Sequence, residues 1–261
     1  MKKMKLSLSV LLIMFSFSTF FAGIDALTSV KTINEEIGKP TDSNFTWKDR
    51  GVIVTPQNQG EWGSCAIFAS ISIFETLIAR ETGDLVDLSE QHFINNTNCW
   101  SDASGVSPEK VFKFLIENGI VYDETLPYTG RKKKVTLNPE YNYKLGTWGS
   151  ALLVNNSPKD RIKIVKEHVI NYGPVISNLI LFEDLDRYES GVYTVGKNAK
   201  EVAGHWVVIL GWQDDENMES GGYWICKNSW GVEWGEEGYF NIAYNDASGI
   251  DDYILYYVES L

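Results

Sequence analysis

The sequence predicts an α+β protein with two lobes, because helical patterns dominate its first half and β-rich runs dominate its second. Residues 66–80 are apolar on nearly every face, as a fully buried helix requires. Short runs rich in β-branched and aromatic residues follow from residue 191 onward. A chain of 261 residues, 44% of them hydrophobic, is long enough to bury about 70% of its unfolded surface. Such a chain needs neither a disulfide nor a metal to form a core.

Four segments carry the start and stop signals of helices. Ser89 and Ser157 are suited to cap the second and the fourth helix, and Gly83 and Gly119 follow the first and the third as stops. The predicted helices cover residues 66–80, a segment that begins at 88–91, residues 108–118 and residues 158–172. The predicted strands cover residues 191–195, 206–212, 222–226, 238–243 and 253–258.

The chain is strongly acidic, with 23 Lys and Arg residues against 35 Asp and Glu residues and a net charge of −12. Nucleic acid or an anionic membrane surface would repel such a protein, so we expect neither as a partner. The one basic cluster, residues 131–134, follows the turn signal at 127–130 and is interpreted as a solvated turn.

The N-terminus has the layout of a secretory signal peptide, in which lysines precede an apolar run at residues 6–21 and small residues follow. The run is shorter than the roughly 20 residues that a membrane-spanning helix needs. We therefore expect a signal peptide at 1–26, a short spacer at 27–44 and a folded domain at 45–261. The protein is then secreted or lumenal, in an extracellular, periplasmic or lysosome-like compartment, without membrane insertion once the signal is removed.

The three cysteines leave at least one thiol unpaired, and an unpaired thiol in a secreted protein is either a small buried core residue or a reactive group. Cys226 lies in a strand-like run and is predicted to be a core residue, whereas Cys99 lies in a polar, Asn-rich loop. Cys65 directly precedes the predicted buried helix. The positive end of a helix stabilises a thiolate, so Cys65 is the candidate nucleophile.

The three histidines restrict the choice of a general base. His92 is interpreted as a surface or helix-face residue, and His168 as part of the solvated face of an amphipathic helix. His205 directly precedes an apolar strand, where an imidazole needs a polar partner. Asn228 follows a neighbouring predicted strand and can orient the ring by accepting a hydrogen bond. Cys65, His205 and Asn228 therefore form a candidate set of nucleophile, base and orienting group.

These three residues lie in segments that resemble the papain/cathepsin family of cysteine proteases across about residues 45–261. The segments are Trp47-Lys48-Asp49, Thr55-Pro56, Gln59 to Cys65, Leu88-Ser89-Glu90-Gln91, Pro127-Tyr128, Tyr188 to Tyr193, Gly204-His205, Lys227 to Gly231 and Trp234 to Tyr239. The resemblance implies a papain-like two-lobe fold. Its helical left lobe, at about 60–125, surrounds the buried helix, its β-barrel-like right lobe lies at about 126–258, and the active-site cleft lies between the two.

The resemblance also implies a role for each matching residue. Cys65 would be the nucleophile, His205 the acid and base, and Asn228 the group that holds the His205 ring. Gln59 would donate its amide to the oxyanion together with the Cys65 backbone N–H, and Trp230 would cover the hydrogen bond between His205 and Asn228. The implied activity is that of a cysteine-type endopeptidase that forms a thioester acyl-enzyme.

The resemblance implies a peptide or protein as the substrate, and a propeptide or a protein inhibitor as further partners. It implies no cofactor and no metal, and we expect a monomer. The residues that would bind the substrate are Gly105, Val106, Pro108, Gly204, Trp230 and Tyr253. An apolar or aromatic residue is expected at the second position before the cleaved bond.

The chain departs from the family at several positions. Trp62 and Ser248 stand where the family usually has cysteines, and Ala66 stands where Trp usually follows the nucleophile. The spacer at 27–44 is also too short for the long helical propeptide of the family. Two alternatives follow: a catalytically weak homologue that binds peptides, or a different Cys-His enzyme such as an acyl transferase or an amidase.

Overall fold

The structure, a computed structural model, describes residues 37–98, 105–133 and 140–261. The predicted signal peptide, most of the spacer, and Cys99 lie outside the described residues. The helices are α1 (Cys65–Thr82), α2 (Glu90–Asn96), α3 (Pro108–Asn118) and α4 (Pro158–Tyr172). The strands are β1 (Asn44–Thr46), β2 (Thr147–Leu152), β3 (Val175–Phe182), β4 (Val192–Tyr193), β5 (Glu201–Asp214), β6 (Gly222–Lys227), β7 (Tyr239–Ala243) and β8 (Ile254–Ser260). None of these helices combines the length and the apolar character that crossing a membrane requires.

The buried helix is confirmed as α1, in which every residue from Ala66 to Ala79 is buried. It ends at Gly83, whose φ of 84° is left-handed and whose N–H bonds to the Ala79 carbonyl at 3.0 Å. A helix that is buried around its whole circumference is held by packing rather than by one amphipathic face. This fixes the position of Cys65 at its first turn.

The other predicted helices are also confirmed, and their caps explain why. Ser89 accepts a hydrogen bond from the His92 backbone N–H at 3.0 Å, and Ser157 accepts one from the Asp160 backbone N–H at 3.2 Å. The bounds of α3 and α4 coincide with the predicted ones, because each helix has Pro at its first position and Gly directly after its last.

The strands form one sheet in the order β2-β8-β3-β5-β6-β7-β4, with β1 paired to β5. All pairs are antiparallel except β4 with β7. The prediction missed β1, β2 and β3, and it began β5 too late. Because the exposed residues at the start of β5 pair with the end of β3, the strand begins at Glu201 and His205 lies inside it.

Strand β5 contributes side chains to two hydrophobic cores, because successive residues point to opposite faces. Val208 and Leu210 pack in a cluster with α1, α2 and α3, which we call the helical core. Val207 and Ile209 pack in a cluster with α4 and the remaining strands, which we call the strand core. The nucleophile-bearing α1 and the histidine-bearing β5 are thereby held in fixed register.

Candidate active site

Cys65 is the first residue of α1 and is only partly buried. Burial raises the pKa of its thiol. The pKa is lowered by a larger amount by the hydrogen bond and the charge of His205 and by the backbone N–H groups of Trp206 and Ala66. The net pKa is below the ordinary thiol value. Two features therefore stabilise the thiolate: an imidazolium partner, and backbone donors from the start of α1 and from β5.

His205 lies on β5, with only 3% of its surface exposed. Its Nε2 lies 2.8 Å from Asn228 Oδ1, which leaves the other ring nitrogen for Cys65. Burial lowers the pKa of the imidazole, but the hydrogen bond and charge of Cys65 and the hydrogen bond to Asn228 outweigh this, so the pKa is raised. The opposite shifts of the two groups favour a thiolate and imidazolium pair at neutral pH.

Asn228 directly follows β6 and is fixed from two sides. Its backbone N–H donates to the Gly238 carbonyl at 2.9 Å, and its Oδ1 also accepts from the Ser229 backbone N–H at 2.8 Å. Because Oδ1 is anchored in this way, it presents an acceptor to the His205 ring in a set direction. The indole of Trp230 stacks on that ring at 5.0 Å and 29°, which restricts access of water to the His205–Asn228 hydrogen bond.

Gln59 is buried, with only 7% of its surface exposed. Hydrogen bonds to neighbours on both sides fix the orientation of its side-chain amide. The Ser229 hydroxyl donates to Gln59 Oε1 at 2.6 Å, and Gln59 Nε2 donates to the Trp62 carbonyl at 2.6 Å. The Gln59 backbone N–H also donates to the Ser229 carbonyl at 2.8 Å. An amide nitrogen carries two protons, so one remains for a ligand after the bond to Trp62.

The residues predicted to bind substrate differ in accessibility. Gly105 has a left-handed φ of 61°, and a Cβ there would lie 3.2 Å from the Gly63 carbonyl, so this position suits glycine. Val106 is half-buried beside the helical core, whereas Pro108 is buried as the first residue of α3. Gly204 is exposed next to His205, and Tyr253 is 42% exposed.

Two histidines differ from their predicted environments. His92 is not a surface residue: it is buried, and its ring packs edge-on against Phe114 of α3 at 5.3 Å. His168 is half-buried rather than solvated, with Nδ1 at 2.7 Å from the Ile164 carbonyl and its ring 5.1 Å from Tyr257. Both corrections have the same cause, since neighbours distant in sequence cover each ring.

The prediction that Cys226 is a core residue is confirmed, because it is fully buried and burial raises the pKa of its thiol. Cys65 and Cys226 are both free.

The indole of Trp62 lies at a position where the family usually has cysteine. It packs on Gly130 so closely that a Cβ on that glycine would lie 1.9 Å from the ring. The Arg131 guanidinium lies 5.3 Å from the centre of the same ring. Aromatic packing therefore holds the loop before α1.

A buried ionic cluster lies behind the site. Lys227 Nζ donates to Ser72 Oγ at 2.8 Å, and Glu75 and Glu90 are both almost completely buried nearby. Burial raises the pKa of Glu75 to about 8 although the Lys227 charge opposes the shift, and burial lowers the pKa of Lys227. These three charged residues line a cavity of about 20 Å³ that reaches Asn228, with room for about one water molecule.

Three further residues contribute to the site in ways that the sequence did not predict. Ser229 fixes Gln59, the Trp206 backbone N–H contacts the thiol, and Tyr128 bonds to the loop before α1. The Trp206 and Ser229 positions adjoin predicted site residues, but nothing in the sequence shows which atoms they contact. Within the described ranges, no group of His, Cys, Asp and Glu side chains is arranged to hold a metal ion.

Comparison with known proteins gives one consistent result. The chain is 31% identical to mouse pro-cathepsin H over 209 residues, which cover 78% of this chain and 60% of that protein. It is 32% identical to zingipain-1 of Zingiber officinale over 205 residues, which cover 78% of this chain and 88% of that protein. The chain thus spans about three fifths of the length of mouse pro-cathepsin H.

Solved structures agree with these sequence relatives. The bromelain protease from Ananas comosus, in complex with the E64 inhibitor, superposes with a TM-score of 0.68 at 27% identity, covering 84% of this chain and all of that one. The predicted papain-like fold is therefore confirmed. The family model described as papain family cysteine protease matches residues 41–258, and the chain belongs to that family.

Proposed function

We propose that this chain hydrolyses peptide bonds through a thioester acyl-enzyme on Cys65. The observation that carries the proposal is the Cys65–His205 pair, whose pKa values are shifted in opposite directions, with Asn228 bonded to the second ring nitrogen. Family membership supports the same reaction class. The substrate class is a peptide or protein, and we infer a monomeric, secreted or lumenal enzyme.

In the first half of the reaction, the Cys65 thiolate attacks the carbonyl carbon of the scissile bond. A carbon–sulfur bond forms and the carbonyl oxygen becomes an oxyanion, to which Gln59 Nε2–H and the Cys65 backbone N–H donate. His205 then gives its proton to the amide nitrogen. The carbon–nitrogen bond breaks, the amine departs, and a thioester remains on Cys65 beside a His205 that is now neutral.

In the second half, a water molecule attacks the thioester while neutral His205 takes its proton. The carbon–sulfur bond breaks, the carboxylic acid leaves, and the thiolate and imidazolium pair is restored. Asn228 keeps the same ring nitrogen bonded throughout, so the other nitrogen serves both half-reactions. Trp230, stacked on the ring, limits competition by water for the His205–Asn228 hydrogen bond.

The direct test of the nucleophile replaces Cys65 by alanine. We expect Cys65→Ala to abolish peptide hydrolysis and labelling by an epoxide directed at papain-like thiols, while the protein stays folded. The matched control is Cys226→Ala, which removes a free but fully buried thiol and should keep its labelling and turnover per folded molecule. Hydrolysis that survives in Cys65→Ala would refute the proposal, and labelling of the wild type without hydrolysis would favour the weak, peptide-binding homologue.

The test of Gln59 compares two reactions of one variant. Gln59→Ala should acylate roughly 10²–10³-fold more slowly, because the tetrahedral oxyanion loses a donor. The same variant should react with iodoacetamide at nearly the wild-type rate, since alkylation of the thiolate builds no oxyanion. Stopped-flow acylation by a peptide ester and mass-spectrometric alkylation measure the two rates. Equal losses in both would show a distorted loop instead, because Gln59 also bonds to Trp62 and Ser229.

The pH dependence follows from the two shifted pKa values. The reactive pair exists above the lowered pKa of Cys65 and below the raised pKa of His205, so hydrolysis should fall on both sides of that window. His205→Ala removes the contributions of His205 that lower the thiol pKa and leaves the burial that raises it. The pH profile of Cys65 alkylation should therefore move to higher pH in this variant. An unchanged profile would mean that His205 does not stabilise the thiolate.

A further inference from the structure

The hydroxyl of Tyr128 lies between two points of the loop that carries the candidate site. It donates to the Gln59 backbone carbonyl at 2.9 Å, and its oxygen lies 2.7 Å from Ser64 Oγ. Ser64 directly precedes Cys65, and Gln59 is the candidate oxyanion donor. One side chain, more than sixty positions further along the chain, therefore touches both ends of the segment at 59–64.

The direction of these hydrogen bonds follows from counting protons. A tyrosine hydroxyl has one proton, and Tyr128 uses it toward the Gln59 carbonyl. The Ser64 hydroxyl must then be the donor toward Tyr128, and the order is Ser64 to Tyr128 to Gln59. Burial raises the pKa of Tyr128 to about 12, so the phenol keeps its proton across the neutral range.

The bond from Ser64 also affects the start of α1. Ser64 is the N-cap residue, yet its hydroxyl caps no backbone N–H of the helix, although a serine there ordinarily does. Its carbonyl accepts from the N–H groups of Ile67 and Phe68 at 2.9 and 3.1 Å, while the Ala66 N–H contacts the thiol. The serine hydroxyl therefore bonds toward Tyr128 and not toward the Ala66 N–H beside the nucleophile.

Tyr128 is itself held by two residues outside the loop. Its ring packs edge-on against Phe68 of α1 at 4.8 Å and 77°, and its backbone N–H donates to Asp123 Oδ1 at 3.1 Å. Two residues later, Gly130 supports the Trp62 indole. These contacts hold Tyr128 in a fixed position beside the loop. In the same loop, Trp62 packs at a position where the family usually has cysteine.

We propose that Tyr128 is a positioning residue for peptide hydrolysis, which sets the placement of the Gln59 amide relative to the Cys65 sulfur. The inference rests on the proposed acyl-enzyme function. Tyr128 is not proposed to contact the thiol or the substrate carbonyl. It acts by fixing the backbone from which the oxyanion donor extends, so its loss should affect the step that forms an oxyanion.

The test is Tyr128→Phe, which removes the hydroxyl and keeps the ring that packs on Phe68. We expect acylation by a peptide ester to slow by about tenfold, as the loss of a hydrogen bond of ordinary strength allows. Binding of a peptide aldehyde, which also forms an oxyanion, should weaken by a similar factor. The alkylation rate with iodoacetamide and the substrate dissociation constant from single-turnover acylation should change less than about twofold, because neither depends on the oxyanion donor.

The matched control is Tyr193→Phe, which deletes another tyrosine hydroxyl, one that donates to Asp184 Oδ1 at 2.7 Å far from the loop at 59–64 in the sequence. This change should leave the ratio of acylation to alkylation as in the wild type. A double-mutant cycle with Ser64→Ala adds a second measurement. Because Ser64 acts through Tyr128, Ser64→Ala should lower the acylation rate in the wild-type background but change it little in Tyr128→Phe. If Tyr128→Phe does not fold, Ser64→Ala alone must still lower acylation more than alkylation.

Each outcome supports or overturns the inference. An unchanged ratio of acylation to alkylation in Tyr128→Phe, or the same loss in Tyr193→Phe, would overturn the positioning role. Additive effects of Ser64→Ala and Tyr128→Phe would also contradict it. A wild-type protein that neither hydrolyses peptides nor reacts at Cys65 would instead overturn the proposed function itself, so the two failures are distinguishable.

Discussion

The pairing of Cys65 with His205 is the interaction on which the rest of the site depends. Burial alone would raise the thiol pKa and lower the imidazole pKa, so each group would be neutral without the other. The charged pair requires α1 and β5 to hold a fixed separation. Both elements are packed tightly enough for this, since α1 is buried on every side and β5 contributes alternate residues to both cores.

The loop before α1 has to be equally rigid, because it carries the proposed oxyanion donor. Neither Cys65 nor Cys226 contributes a disulfide to this rigidity, because both are free. Instead, Ser229 fixes the Gln59 amide, Tyr128 bonds to the Gln59 carbonyl, and the Trp62 indole packs on a glycine. These are hydrogen bonds and aromatic contacts that form only in the folded chain, so the stability of the fold and the geometry of the site are linked.

Local signals explain what the sequence could predict. The bounds of α3 and α4 were predictable because Ser-Pro starts and Gly stops act within a few residues. The candidate triad was predictable from residue chemistry and resemblance to a family. The roles of Tyr128 and Ser229 were not, because their partner Gln59 is 69 and 170 positions away in the chain. The burial of His92 was missed for the same reason, since Phe114 covers it from another helix.

Detection of the acyl-enzyme is the most direct test of Cys65 as the nucleophile. Acid quenching during turnover of a peptide ester, followed by intact-mass measurement and peptide mapping, detects a covalent intermediate and locates it. We expect one acyl group per active molecule, attached to Cys65, and its loss on further incubation in buffer as water completes the reaction. Steady turnover without any adduct, or an adduct on Cys99 or Cys226, would contradict the assignment of Cys65 as the nucleophile.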